Sequence, residues 1–241
     1  HLTTHAVATL VTTRLDNPGG YGRIIRDRRG TFRAIVEEVE ATPAERRLTE
    51  INAGIYCFRA PHLFAALHQV KPSAVKKELY LPDVLPIFQK AKGRIATVLA
   101  EDPREALGIN TRAELAEAYA ILRRRRVDYL MANGVTCLDP ASTHVSNLAG
   151  VGRDTILYPN VQLEGRTAIG EGCTIHAACR IRDSRLGNRV TVLDGCVILE
   201  SEADDECTIG PYAHLRPGSR LRRKAKVGNF VEVKKSVIGE G

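Results

Sequence analysis

The sequence predicts an α/β segment, then one long helix, then a left-handed parallel β-helix of hexapeptide repeats. Three observations lead there. Branched aliphatic residues recur every six positions across the C-terminal half, small residues recur four positions after each, and the N-terminal half lacks this period but alternates short β-type runs with helical ones.

The six-residue period is the firmest. Val145, Val151, Leu157, Leu163, Ile169, Ile175 and Ile181 form an unbroken series. After a five-residue step it resumes at Leu186, Val192 and Ile198, and it continues from Ile209 through Leu215, Leu221, Val227 and Val233 to Ile238. Each six-residue unit of a parallel β-helix supplies one short strand and one turn, and three units close a triangular coil. The aliphatic residue points inward, so stacked coils bury a column that no single coil could bury alone. Roughly five coils are expected from Val145 to Gly241.

The position four residues on reads Thr155, Val161, Thr167, Cys173, Cys179, Val190, Cys196, Ala213, Ser219, Ala225, Val231 and Val237, with Arg185 and Glu202 as exceptions where the period slips. Three of the six cysteines fall there and are read as core filler. No C-x-x-C pair supports a metal site or a disulfide framework. Glycine directly after the aliphatic residue, at 170, 187, 210, 228 and 239, is read as the residue of tight corners needing unusual backbone angles.

The first 112 residues read as α/β. Ala6 to Thr12, Phe32 to Val36 and Ile51 to Phe58 are β-type runs, Pro61 to Val70 and Leu81 to Ala91 have helical spacing, and Val75 to Asp83 reads as a polar link. Thr111 to Asn133 contains neither Gly nor Pro and ends at Asn133-Gly134, which predicts one helix with Arg123 to Arg126 on its solvated surface. The expected domains are therefore 1–112, a linker helix at 113–134, and a β-helix over 135–241.

With 241 residues, 44% hydrophobic, no apolar run is long enough to span a membrane, and the start lacks a signal-peptide layout, so a cytoplasmic setting is expected. The net charge of +7, from 35 basic and 28 acidic residues, suits anionic small substrates. No aromatic-rich basic motif accompanies it, so nucleic acid is not the expected partner. The opening His and the stop in mid-pattern lead us to expect a segment of a longer protein.

Four strings in order, Asp16-Asn-Pro-Gly-Gly-Tyr-Gly-Arg-Ile24, Ile35-Val-Glu-Glu38, Glu50-Ile-Asn-Ala-Gly-Ile55 and Leu107-Gly-Ile-Asn-Thr-Arg112, resemble sugar-1-phosphate uridylyltransferases. With Ile209-Gly-Pro-Tyr-Ala-His-Leu-Arg-Pro-Gly218 and Val227-Gly-Asn-Phe-Val-Glu-Val-Lys-Lys235 on a β-helix, the chain resembles the bacterial bifunctional N-acetylglucosamine-1-phosphate uridylyltransferase and glucosamine-1-phosphate acetyltransferase family. The resemblance implies a Rossmann-like nucleotidyltransferase portion ahead of the helix. It also implies acetyl transfer from acetyl-CoA to glucosamine-1-phosphate, then uridylyl transfer from UTP to N-acetylglucosamine-1-phosphate, in a homotrimer assembled through the β-helix. The alternative is another sugar nucleotidylyltransferase whose β-helix serves only for assembly.

By the same resemblance Gly22, Glu37 and Asn52 hold the N-acetylglucosamine moiety, Asn110 is a ligand of Mg2+, and Arg216 and Lys234 bind the phosphate of the acetyl acceptor. Taken singly, each has a plain reading as a turn, loop or surface residue. Val39-Glu40 stand where the family has Lys-Asp, Ala53 where it has Thr, and Pro82 where it has Thr. The family's glycine-rich nucleotide loop, its second magnesium ligand and its acetyltransferase base match nothing between His1 and Gly241. His62, His68, His144, His176 and His214 match no catalytic position. No catalytic residue is therefore assigned, and this stretch alone is expected to lack both activities.

Overall fold

The computed structural model describes residues 1–72 and 79–241 and divides into two compact units, His1–Leu115 and Ala116–Gly241. The first four residues of the link read over Val75 to Asp83 lie outside the described residues; its end, Leu81–Asp83, forms a 3-10 turn.

The first unit is a five-stranded mixed sheet built from β1 (Ala8–Arg14), β2 (Arg23–Arg26), β3 (Phe32–Val36), β4 (Glu50–Phe58) and β5 (Ile95–Leu99), in the order β3-β2-β4-β1-β5. Only the β1–β5 pairing is parallel; the others are antiparallel. The doubly wound parallel sheet implied by the family is thus not what these strands form by themselves. The strands β2 and β5 escape the sequence reading because each is short and flanked by charged residues. Helices α1 (Ala60–Leu67) and α2 (Val84–Lys90) contribute Ala66, Val84, Leu85 and Phe88 to a core with Ala8, Leu10, Ile24 and Phe32.

Helix α3 (Arg112–Ala132) replaces its missing end hydrogen bonds with side chains and a Schellman turn. At its start the Glu114 carboxylate accepts from the Asn110 and Thr111 amides at 2.6 and 2.7 Å, and the Glu114 amide donates to Thr111 Oγ1. At its end Gly134 has φ 93°, its amide reaches the Met131 carbonyl, and the Val135 amide reaches that of Leu130. Leu130 and Val135 are buried together in the β-helix core, so the helix stop also plugs that end of the column. Of the four arginines read as solvated, Arg123 and Arg126 instead turn onto the β-helix: Arg126 donates to the Ala149 carbonyl and Arg123 to His144. A guanidinium can cover apolar surface with its stem while its head finds a carbonyl.

The second unit carries three six-stranded parallel sheets whose strands are two or three residues long, which makes six coils rather than five. The repeat starts before Val145, at Thr136–Cys137, where Cys137 pairs with Leu157. The gap between Ile198 and Ile209 is also filled. Ala203 lies between Leu186 and Leu221 in the column and is buried, so Ile198 to Ala203 is a second five-residue step. At both five-residue steps the small position moves one residue closer, onto Ser184 and Ser201, which are buried in place of Arg185 and Glu202.

Small size suffices at Val161, Val190, Ala213 and Ala225. Where the residue carries a hydroxyl or thiol, its side chain also donates to a carbonyl of the following coil: Thr155 to Gly170, Cys173 to Gly187, Cys179 to Leu193, Ser201 to Arg216, Cys207 to Arg222 and Ser219 to Val233. Cysteine serves because a buried thiol is both a small hydrophobe and a weak donor.

The corners differ from the sequence reading. Of the five glycines assigned to them, only Gly210 has positive φ. The left-handed residue instead lies three positions after the aliphatic one and is mostly not glycine: Asp154, Asn160, Ala178, Arg189, Glu206, Tyr212, Lys224 and Phe230 all have φ between 54 and 63°. That conformation turns the amide toward the preceding coil, where Ala178 donates to Pro159, Tyr212 to Asp194 and Lys224 to Asp205. A backbone hydrogen bond thereby offsets the strain of about 1 kcal/mol or more per residue. Gly170 and Gly187 have another purpose. A Cβ on Gly170 would lie 2.4 Å from the Gly187 carbonyl oxygen, and one on Gly187 would lie 2.3 Å from Asp205 Oδ1.

Two outcomes test these assignments. Gly170→Ala must push neighbouring backbone aside and should cost about 1–3 kcal/mol in denaturant unfolding, whereas a Cβ on Gly228 meets nothing within 4 Å and Gly228→Ala should stay within about 0.5 kcal/mol. The second concerns His144, which faces Arg123 and Tyr119 from α3, Gln162 from the next coil and Glu164 across a small cavity. Burial, then the Arg123 charge, holds its pKa below the ordinary value. The unfolded chain therefore takes up the proton first as pH falls, and stability present above the ordinary histidine pKa is lost below it. The melting temperature should drop more for the wild type than for His144→Gln between about pH 7.5 and about pH 5.5.

Candidate functional site

Three of the residues singled out in the first unit meet at a bulge. Between the pairs Leu10–Tyr56 and Thr12–Asn52, strand β4 carries more residues than β1, and the excess at Ala53-Gly54-Ile55 is taken up with Gly54 at φ 73°. Bulges re-aim side chains. Here the Asn52 carboxamide accepts from the Gly54 amide at 3.1 Å and donates to the Tyr56 hydroxyl at 2.5 Å. The Asn52 amide also donates to the Gly22 carbonyl at 2.8 Å, which brings the turn before β2 alongside.

Gly22 is where a side chain would not fit. A Cβ there would lie 2.9 Å from Ile35 Cγ2 and 3.0 Å from Glu37 Oε1, so the glycine leaves the Glu37 carboxylate close against the backbone. The Tyr56 phenol is held above its ordinary pKa, first by burial and further by the Glu37 charge; the Asn52 hydrogen bond opposes both. Gly22, Glu37, Asn52 and Tyr56 therefore form one polar group of a carboxylate, a carboxamide, a phenol and open backbone. Such a set can accept from sugar hydroxyls and donate to a carbonyl.

Asn110 lies on the exposed segment that leads into α3, and the Tyr21 hydroxyl brings that segment to Gly22. The Gly108 amide donates to Tyr21 Oη at 2.8 Å, and a Cβ on Gly108 would lie 3.2 Å from that oxygen and 3.7 Å from Asn110 Nδ2. Among the described residues no group of three or more His, Cys, Asp or Glu is placed to hold a metal. Magnesium asks for about six oxygens, commonly from one or two carboxylates with waters and phosphates. Asn110 offers one neutral oxygen, so these residues alone do not fit a magnesium site. Val39, at the position of the family's lysine, is exposed.

Sequence reasoning missed Tyr21 and Tyr56. Tyr21 lies within a quoted string and Tyr56 directly follows one, but nothing in residue type predicts which group a tyrosine hydroxyl will reach. It also missed Arg23, which is fully buried with a guanidinium 2.6 Å from Glu38 and braces the Val-Glu-Glu string from beneath.

On the β-helix, Arg216 and Lys234 each follow an aliphatic residue, Leu215 and Val233, that pair in register on adjacent coils, and the Arg216 amide donates to the Val233 carbonyl. The two cationic side chains therefore stem from equivalent points of one face, one coil apart. His214 and Glu232 occupy the matching positions on the other side of the aliphatic residues. Arg216 Nη1 contacts Glu232 Oε1 at 2.8 Å. That contact leads the influences, with the Arg216, His214 and Lys234 charges, that hold the Glu232 carboxyl below its ordinary pKa.

No family model matches the chain. Among curated proteins it is 48% identical over its whole length to the bifunctional protein GlmU of Heliobacterium modesticaldum, covering 52% of that protein. To GlmU of Pelotomaculum thermopropionicum it is 51% identical, again over all of this chain and 52% of that one. The Geobacillus sp. protein gives 45% at the same coverage. The chain thus spans about half the length of the curated relatives it matches, and the family resemblance carried by the motifs is borne out along all of it. Among solved structures, the acetyltransferase domain of PglB from Neisseria gonorrhoeae is 14% identical with a TM-score of 0.38, over 64% of this chain and 69% of that domain. That likeness is too slight to bear on the chemistry.

Tyr56→Phe should leave the fold intact while depriving the Asn52 carboxamide of its acceptor. Denaturant unfolding should show a loss of about 0.5–1.5 kcal/mol, and an unchanged midpoint would mean that water replaces the hydroxyl at no cost.

Proposed function

We propose that this chain, related over its whole length to the bifunctional GlmU proteins, takes part in making UDP-N-acetylglucosamine. In the first reaction the amine of glucosamine-1-phosphate attacks the thioester carbonyl of acetyl-CoA, forming the amide and releasing coenzyme A. In the second, the phosphate of N-acetylglucosamine-1-phosphate attacks the α-phosphorus of UTP and pyrophosphate leaves. No catalytic side chain is assigned within His1 to Gly241.

The observation that carries the reading is the pairing of Arg216 with Lys234 on adjacent coils. Two cations one coil apart suit a phosphate, the arginine as a fork and the lysine as a point charge. Glu232 holds the Arg216 guanidinium until the anion arrives. In the first unit, Gly22 lets the sugar approach the backbone, Glu37 accepts from its hydroxyls, and Asn52, oriented by Tyr56, faces the acetamido group.

Asn110 would supply one oxygen to Mg2+, with phosphates and waters among its other ligands. The domain assignment follows the same reading: 1–112 as part of a Rossmann-like uridylyltransferase, 113–134 as the linker helix, and 135–241 as a left-handed β-helix that assembles as a homotrimer. A cytoplasmic setting goes with nucleotide and acetyl-CoA substrates. No helix among the described residues is long and apolar enough to cross a membrane.

Calorimetric titration of the chain with glucosamine-1-phosphate is the test. Arg216→Gln and Lys234→Gln should each weaken binding by about tenfold or more, the loss of one charge-assisted contact, and Glu232→Gln should strengthen it by releasing Arg216. Equal affinity in all four proteins would favour a β-helix that serves assembly alone.

A further inference from the structure

Within the second unit, α3 and the first two coils line an open cleft of about 420 Å3, within the range of small-molecule sites. Tyr119, Leu122 and Arg123 line it from the helix, and His144, Ser146 and Glu164 from the coils. None of these residues enters the function proposed above.

The hydrogen-bond directions there can be worked out. Arg123 Nη1 lies 3.3 Å from His144 Nε2, and Tyr119 Oη lies 3.1 Å from His144 Nδ1. A guanidinium has only donors, so Nε2 must accept. The imidazole is then neutral with its proton on Nδ1, in keeping with its lowered pKa, and donates to the Tyr119 oxygen. The Tyr119 hydroxyl hydrogen is consequently left for another acceptor.

Arg123 is short of acceptors too. It is half-buried, its Nε is buried without a partner, its guanidinium bonds to His144, and among the described residues no carboxylate forms an ion pair with it, although its charge reaches Asp139. Glu164, on the rim, is held by Arg180 at 2.9 and 3.1 Å. Half-buried cations ordinarily have an acidic partner. The cavity thus presents a guanidinium whose acceptor among the described residues is the neutral imidazole of His144, and a hydroxyl hydrogen left over, beside the ring of Tyr119 and the half-exposed side chain of Leu122.

We propose that this cavity binds a small organic anion, with its carboxylate or phosphate on Arg123 and the Tyr119 hydroxyl and its ring or short apolar body against Leu122. The oxyanion is the shared chemistry, and the apolar wall distinguishes the site from the open face that carries Arg216.

Titration of the full chain with phenyl phosphate, benzoate and benzyl alcohol, followed by the NMR signals of the His144 imidazole, tests this without reference to any enzymatic activity. One or both anions should shift His144 saturably, which also tells phosphate from carboxylate, and benzyl alcohol should not. Arg123→Gln should weaken binding by about tenfold or more. Tyr119→Phe, which keeps the ring, should weaken it by about threefold even if Arg123→Gln disturbs the helix. Arg216→Gln should leave binding unchanged. The proposal is overturned by the absence of saturation with either anion, by equal binding of benzyl alcohol, by unchanged affinity in both cavity variants, or by loss of binding in Arg216→Gln.

Discussion

Everything in the β-helical unit depends on backbone hydrogen bonds that run from coil to coil in both directions. Strand amides donate forward, as Gln162 does to Cys179 and Val197 to Ala213, while corner amides donate back, as Ala178 does to Pro159 and Tyr212 to Asp194. Strands of two or three residues could not form stable sheets alone. Stacked six deep they can, because each coil satisfies its neighbours and buries one aliphatic residue per side. This requirement explains features that look unrelated: left-handed backbone on bulky residues, donors at the small position, and glycine where two coils come too close for a Cβ.

The same ladder turns sequence spacing into site geometry. Residues one coil apart are neighbours whatever their separation along the chain, so Arg216 and Lys234 need only occupy the same point of their repeats. Ion pairs along the outer faces follow the rule as well: Arg180 meets Glu164, Arg189 meets Glu206, and Arg223 meets Glu206. Arg223 and Arg189 draw the Glu206 carboxyl down to about 2. These pairs are exposed and contribute little to stability. What they show is that the coil register decides which charges meet.

That is also why so much of the β-helix was legible and so little of the first unit was. A column of Leu163, Ile181 and Ile198 advertises itself, since burial acts at a fixed period and the period survives in the sequence. What stayed hidden were the features that break or decorate it. Ala203 fills a column position with a residue too small to stand out, and the true corner residues, among them Tyr212 and Lys224, have no common side chain because only their amide matters. In the first unit the polar cluster was legible as motifs, but its geometry comes from the β4 bulge, which the Tyr56 hydroxyl spans to Asn52, and from the Tyr21 hydroxyl bonding to a distant loop. No periodic signal accompanies contacts of that kind.

The contrast bears on how the two polar centres can act. Arg216 and Lys234 stand on a stack whose coils hold one another, so the points from which they stem are fixed in advance, and under the proposed phosphate role such a preorganised pair would lose little entropy on binding. Asn110 is held differently: its amide is tied to the Glu114 carboxylate, and its segment is brought to Gly22 by the Tyr21 hydroxyl. A single hydrogen bond contributes about 1 kcal/mol, too little to pin a segment against thermal motion. The polar residues on β4 and the Asn110 segment should therefore respond independently to mutation, and the strand side should stay ordered when Tyr21 is replaced.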